Sequence, residues 1–330
     1  MKKILNRPED VVEEMVSGLV DAHDDVVYRV GDTRVVARKY EGKGKVGLIS
    51  GGGSGHEPSH AGFVGKGMLS AAVCGDVFTS PTPDQVYEAV KAADKGAGVF
   101  MVIKNYTGDV MNFEMAKEMA ESMDNIKVET VITNDDIAVE NSTWTEGRRG
   151  VAGTVFVHKI LGALAERGAS LEEIKAESEL LIKEMATLGL ALTPAIVPQA
   201  GKPGFTLADD EIEFGLGIHG EPGYRKSKLR PSAELAKEFY DKIKAFLHLT
   251  EADKVAILIN GLGGTPLMEQ YVFTHDVLNL FKHDGITVAK KFVGDYMTSI
   301  EMQGISLSVL RLKNPLWLEL LNDEAKTIAW

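Results

Sequence analysis

Apolar positions recur at helical spacing between Pro8 and His23, which predicts an amphipathic helix at the start of the chain. Two β-rich runs, "VVYRV" and "TRVVARK", follow and lead into "KVGLIS", an apolar strand expected to stop at the glycines after Ser50. Strand and helix signals then alternate through "MLSAAVCG", "TPDQVYEAVKAADK", "GVFMVIKN", "GDVMNFEMAKEMAESM" and "VETVITN". Such alternation predicts a parallel-rich sheet flanked by helices.

From Gly153 to Leu188 the pattern reads as helical, with a break at Gly168-Ala169-Ser170, where Ser170 and Glu173 make a capping box. The proline-marked stretch "LTPAIVPQAGKPG" predicts a boundary, giving an N-terminal α/β domain over residues 1–190 and a C-terminal one over 191–330. In the second span the expected elements are "EIEFGLGIHG", a helix from Ser232 to Leu249, the strand "VAILIN", a helix from Leu267 to Lys282, and the strands "ITVAKKFV" and "ISLSVLRL". The fold class is therefore α/β: two α/β domains with parallel-rich mixed sheets flanked by helices.

Composition narrows the partners. A chain of 330 residues with 44% apolar and 25% charged positions is that of a globular protein, long enough for two cores. Its formal charge of −12, without long blocks of one sign, argues against nucleic acid or an anionic membrane as the main partner. Cys74 is the sole cysteine, so the chain has no internal disulfide and no thiolate zinc cluster, and the thiol reads as a buried strand residue. "MKKILNRPEDVV" does not fit a signal peptide, and no apolar run approaches the ~20 residues of a membrane span, so a cytoplasmic location is expected.

The stretch "LISGGGSGHEPSH" carries fragments of two motifs. His56, Glu57 and His60 spell the zincin pattern, but that pattern needs both histidines on one helical face, and Pro58 stands between them. The helix is expected to begin at Pro58, with His56 in the loop and His60 in the first turn as a packed or half-exposed residue. A nucleotide-binding Walker loop would need Lys and then Ser or Thr after the last glycine, where His56-Glu57 stands. "FGLGIHGEPG" holds a literal dinucleotide fingerprint, yet Glu221-Pro222-Gly223 and "YRKSK" follow it in place of an apolar helix. No metal site is expected.

What survives is two glycine-rich loops at strand ends, each with one histidine, His56 and His219, and each with a Glu-Pro pair after it. Glycines expose backbone N–H groups to a small ligand, and a neutral imidazole can serve as acid, base or nucleophile. Two unrelated tight turns would produce the same pattern. A third strand ends at Lys104-Asn105, before a helix beginning near Asp109, whose ordinary reading is a helix cap. Met111, Met115 and Met119 share one face of that helix and read as core. A cation, a carboxylate and two imidazoles at strand ends suit transfer to a small hydroxylated carbonyl compound.

Six segments, "SGGGSGHEPSHAGFVGKGML", "AAVCGDVFTSPTPDQV", "KNYTGDVMNF", "EGRRGVAGT", "GLGIHGEPG" and "NGLGGTP", resemble the K-subunit family of the dihydroxyacetone kinases in order and over nearly the whole length. The resemblance implies a kinase subunit on which a histidine, here His219, attacks the ketone carbon of dihydroxyacetone to give a hemiaminal. It implies a substrate site made by the loop Gly53, Ser54, Gly55 and His56 together with Lys104, Asp109 and His219. Asp109 would be the general base on the terminal hydroxyl, and His56 would orient substrate or share the proton transfer. The family's nucleotide domain, with its aspartate-rich Mg²⁺ motif, has no counterpart here. The resemblance therefore implies that this chain carries no cofactor. ADP or ATP with Mg²⁺ would sit on a partner L subunit, recharged through the phosphoenolpyruvate-dependent phosphotransferase system. Members are homodimers. A rival reading is a paralogue that binds dihydroxyacetone and acts as coactivator of a transcription regulator, and a third is a sensor or carrier of another short ketose or aldehyde.

Overall fold

The computed structural model describes residues 2–40, 42–142 and 145–330. The strands, in chain order, are β1 (Val27–Arg29), β2 (Val35–Arg38), β3 (Gly47–Ser54), β4 (Ala71–Val77), β5 (Val99–Lys104), β6 (Val128–Thr133), β7 (Met185–Ala191), β8 (Glu211–Phe214), β9 (Arg225–Lys228), β10 (Lys254–Gly261), β11 (Thr287–Gly294) and β12 (Gly304–Arg311). The helices are α1 (Val11–Ala22), α2 (Pro83–Ala93), α3 (Thr107–Asp124), α4 (Thr154–Glu166), α5 (Leu171–Leu181), α6 (Ser232–Leu247), α7 (Leu267–His283) and α8 (Pro315–Asn322).

The strands form two six-stranded sheets, ordered β1-β2-β4-β3-β5-β6 and β11-β10-β12-β7-β8-β9. In the first sheet β4, β3, β5 and β6 run parallel, and the central β3 and β5 are buried along their whole length because helices cover both faces. The second sheet is mixed in another way: β10 and β11 are its parallel pair, and the other pairings are antiparallel. The two mixed sheets flanked by helices are as expected, but the second is not parallel-rich, because β7, β8 and β9 follow one another without intervening helices. The edge strand β9 and helix α8 add to the expected elements.

Helices α2 and α3 cover one face of the first sheet through Val86, Val90, Phe113, Ala116 and Ala120. Helix α4 is buried nearly all round, and its core joins Phe100 of the first sheet to Ala256, Leu258 and Leu310 of the second. A helix apolar on every side belongs in such a central layer. Helices α6 and α7 close the far face of the second sheet through Phe239, Ile243, Phe273 and Val277.

Three local expectations are corrected. Strand β3 does not stop at the glycines but runs through them to Ser54, because close neighbours forbid side chains there: a Cβ on Gly51 would lie 2.6 Å from the Val73 carbonyl oxygen. The helical pattern breaks off before Leu188, since Met185–Ala191 is β7 and pairs with β12 in the second sheet. No α-helix starts at Pro58. Residues 57–60 form a turn and Ala61–Phe63 a single 3₁₀ turn, with Ser59 and His60 drawn into buried polar contacts instead of one side of a helix. The capping box is present, with the Ser170 hydroxyl accepting from the Glu173 N–H and the Glu173 carboxylate accepting from the Ser170 N–H.

Candidate functional site

Strand β3 ends in the loop that carries His56, whose ring is completely buried. His56 Nδ1 lies 2.7 Å from the Thr298 carbonyl oxygen, which only accepts, so Nδ1 carries the proton and Nε2 the lone pair. That Nε2 is buried and has no partner among the described residues. Burial first, then His219 and Lys104, hold the His56 pKa well below the ordinary value, so the ring is neutral. Phe78 stacks on it at 5.0 Å between centroids, with a non-glycine φ of 57°.

The second histidine arrives from the loop between β8 and β9. His219 meets His56 edge to face at 4.8 Å and packs against Phe78 at 5.3 Å and Tyr106 at 4.5 Å. Its Nδ1 lies 3.1 Å from Glu221 Oε1, and its backbone N–H donates to Glu221 Oε2 at 3.0 Å. Burial works to raise the Glu221 carboxyl, but the His219 hydrogen bond and charge together with Arg149 outweigh it and hold the group at about 2. An ionised carboxylate only accepts, so His219 Nδ1 carries a proton, and whenever the ring is neutral Nε2 is the nitrogen with the lone pair. The side chain is 14% exposed, which makes it the reachable imidazole of the two.

The third group comes from the end of β5 and the first turn of α3. Lys104 is buried, with Nζ 3.4 Å from Asp109 Oδ2 and 5.1 Å from the centre of the Tyr106 ring, so Tyr106 is the common neighbour of Lys104 and His219. Helix α3 starts at Thr107, so Asp109 lies inside the first turn and does not occupy the cap position, which is Tyr106. A carboxylate there is favoured by the helix dipole. The methionine face is corrected: Met111 and Met115 are 60% and 51% exposed and Met119 is half-buried, while the core face of α3 is Asp109, Phe113, Ala116 and Ala120.

The glycine loop is shaped by what it must admit. A Cβ on Gly53 would lie 2.5 Å from the Thr79 nitrogen, and Gly55, at φ +99°, rests on Phe78 and Ile300. Gly52, at φ +149°, sits under the ion pair, where a Cβ would be 2.8 Å from Lys104 Nζ and 3.3 Å from Asp109 Oδ2. The Ser54 hydroxyl donates to the Gly75 carbonyl at 2.7 Å, and the Gly55 N–H donates to the Glu57 carboxylate at 3.0 Å. His60 does not join the site; it is buried against His158, 2.9 Å from Nδ1 to Nε2.

A domain model described as the Dak1 domain matches residues 17–329. The chain belongs to the Dak1 family. Among Dak1 relatives it is 63% identical, over 100% of both chains, to the "PTS-dependent dihydroxyacetone kinase 1, dihydroxyacetone-binding subunit DhaK" of Listeria innocua. It is 58% identical to the corresponding PTS-dependent subunit of Lactococcus lactis, over 100% of this chain and 99% of the other. A solved structure titled "Dihydroxyacetone kinase operon co-activator Dha-DhaQ" superimposes with a TM-score of 0.91 at 41% identity, over 96% of this chain and 98% of that one.

Sequence reasoning on this Dak1 chain missed the residues that hold the histidines. Thr298 accepts from His56, the Ile300 N–H donates to Gly55, and the Ser299 hydroxyl donates to the Ile218 carbonyl, so the β11–β12 loop clamps both histidine loops. Two of these contacts run through this loop's own backbone groups and carry no residue-type signal. Glu221 did carry one: it stands two residues after His219 inside a glycine loop, the spacing at which a side chain folds back on its own turn. Among the described residues no helix is long and apolar enough to cross a membrane.

Proposed function

We propose that this chain is the dihydroxyacetone-binding subunit of a phosphoenolpyruvate-dependent dihydroxyacetone kinase, holding its substrate as a hemiaminal on His219. The observation that carries the reading is the orientation of His219: with Nδ1–H engaged by Glu221, Nε2 is the nitrogen that bears the lone pair of the neutral ring, in the more accessible imidazole of the cluster. The full-length identities of 63% and 58% to subunits named for dihydroxyacetone binding support the substrate assignment.

The chemistry follows from the groups present. Nε2 attacks the ketone carbon, a C–N bond forms, and the carbonyl π pair moves onto oxygen. That oxygen takes up one proton from solvent and the imidazolium returns the one at Nδ1 to solvent, so protons balance and the adduct is neutral. His56 Nε2 is an acceptor and orients a substrate hydroxyl. Asp109, held beside Lys104, takes the proton of the terminal hydroxyl as that oxygen attacks phosphorus. Tethering through the carbonyl selects against polyols, which lack an electrophile, and fixes the hydroxyl for in-line attack.

The phosphoryl donor belongs, in this reading, to an L subunit carrying ADP or ATP with Mg²⁺. The glycine loop supports that division, since the Gly55 N–H already donates to the Glu57 carboxyl group and is not free to bind a phosphate oxygen. The co-activator reading has the likeness to the co-activator structure in its favour, but identity is lower there, at 41%, and a buried Lys104–Asp109 pair beside the tether suits transfer. The test is ¹³C-labelled dihydroxyacetone followed by NMR with the purified chain. The C2 signal is expected to move from the carbonyl to the tetrahedral region, and glycerol to give no adduct. With ATP alone the chain is expected to produce no dihydroxyacetone phosphate, and product is expected once L and the phosphotransfer subunits are supplied with phosphoenolpyruvate. An unchanged ketone signal removes the tether, and rapid ATP-driven turnover by this chain alone removes the division between subunits.

A further inference from the structure

Arg149 lies in the segment "EGRRGVAGT" before α4 and is fully buried. Its Nε donates to Asp136 Oδ2 at 2.8 Å, and one terminal nitrogen, Nη2, reaches both Asp136 Oδ2 and the Gly215 carbonyl at 2.7 Å. Gly215 opens the loop that carries His219. The other terminal nitrogen, Nη1, is buried without a partner among the described residues. Gly217 shows where it points: a Cβ on Gly217 would lie 2.7 Å from Nη1 and would strike Glu221 Oε2. Nη1 and the carboxylate that holds His219 therefore approach the same point of the loop.

We infer that Arg149 is a positioning residue for His219, acting through Glu221 by charge and through Gly215 by a direct hydrogen bond. A guanidinium suits both tasks because its planar fork serves Asp136 and Gly215 while its charge stays close behind the Glu221 carboxylate, with Nη1 and Oε2 both beside Gly217. Buried ions need partners, and Asp136 supplies the counter-charge. Around the His219 ring the charged or titratable groups are Glu221 from its own loop, His56 from the β3 loop, and Tyr106, Lys104 and Asp109 from the β5–α3 segment; Arg149 and Asp136 stand behind Glu221. Removing the arginine cation leaves His219 beside a carboxylate with no counter-charge, which favours the imidazolium. The proton then occupies the nucleophile over more of the pH range.

The inference rests on the adduct at His219, and the experiment separates the two. The pH midpoint and affinity of adduct formation are measured by ¹³C NMR for the wild type, for Arg149→Lys, and for the double variant Asp136→Asn/Arg149→Met, which removes the buried pair together. A wild type with no tetrahedral signal overturns the adduct reading itself. With the adduct present, the double variant is expected to move the midpoint upward, since Arg149 acts on Glu221 more closely than Asp136 behind it and the lost anion offsets only part of the lost cation, and to bind about tenfold more weakly at neutral pH. Arg149→Lys, which keeps the charge but loses the fork, is expected to keep the midpoint and bind several-fold more weakly. Wild-type affinity and midpoint in the double variant overturn the inference, as does weaker binding with an unmoved midpoint, which would make Arg149 a strut only. If the double variant does not fold, Arg149→Lys decides alone: wild-type affinity in it overturns the inference.

Discussion

The rings of His56 and His219 meet edge to face at 4.8 Å, and each has its Nδ1–H engaged by another partner, the Thr298 carbonyl and the Glu221 carboxylate. The two Nε2 lone pairs are left for substrate. One imidazole is sealed by burial and the other is partly open, so nucleophile and acceptor are distinguished by access as well as by position. His219→Ala is expected to abolish the adduct, and His56→Ala to retain it with weaker binding. Intact mass and ¹³C NMR of both variants with dihydroxyacetone check this, and an adduct surviving in His219→Ala removes the assignment.

The division between tether and base gives the second prediction. Asp109→Asn keeps the shape of the first turn of α3 but loses the proton acceptor beside Lys104. The adduct is expected at near wild-type affinity, with phosphoryl transfer reduced about 10²–10⁴-fold. Turnover within a few-fold of wild type in the reconstituted system would return Asp109 to a structural role in the helix.

Gly52 supplies the third. Alanine there would need φ +149° and would press its Cβ onto the Lys104–Asp109 pair from 2.8 Å. Gly52→Ala is expected to slow transfer more than it weakens the adduct, because His219 lies on another loop, and to cost about 1–3 kcal/mol of stability. Chemical unfolding and single-turnover transfer measured together test it; equal losses in adduct and transfer would show that the pair and the tether are not separable.

The strand ends and the four chemical side chains were legible in the sequence because a parallel sheet brings the carboxyl ends of its strands together, so Lys104, Asp109 and His56 had to be neighbours. His219 was legible as a member of a second glycine loop, but its approach to His56 depends on the β11–β12 clamp, which works in part through the Thr298 carbonyl and the Ile300 N–H and leaves no pattern in residue types. The methionines misled for a geometric reason. Met111 and Met115 are spaced four apart, which defines a face without saying which face is buried; the small Ala116 and Ala120 beside Phe113 mark the side that approaches α2 and the sheet. The glycines of β3 misled in the opposite sense, since they read as an end to the strand and instead let Val73, Lys104 and the Phe78-Thr79 backbone approach it.

The buried histidines weaken the folded state as pH falls. Burial first and then the Lys104 charge lower the His158 pKa to about 3, and burial followed by Lys104 and the neighbouring imidazoles does the same in direction for His60. The unfolded chain protonates such groups near the ordinary value of ~6.5 while the folded chain does not. Between about pH 6.5 and 3 the unfolded state therefore binds more protons, so stability is fully present above 6.5 and is lost as pH falls, by roughly 1.4 kcal/mol per unit for His158. Asp136 acts with the opposite sign, because burial, against the pull of Arg149, raises its carboxyl to about 6. The decisive quantity is thus a difference between two proteins that share Asp136. His158→Asn is expected to be less stable than wild type at pH 7.5, since it disturbs the contact with His60, yet to lose less stability between pH 6 and 5. Urea unfolding at those pH values measures both slopes, and equal slopes would mean that His158 is already protonated in the folded protein.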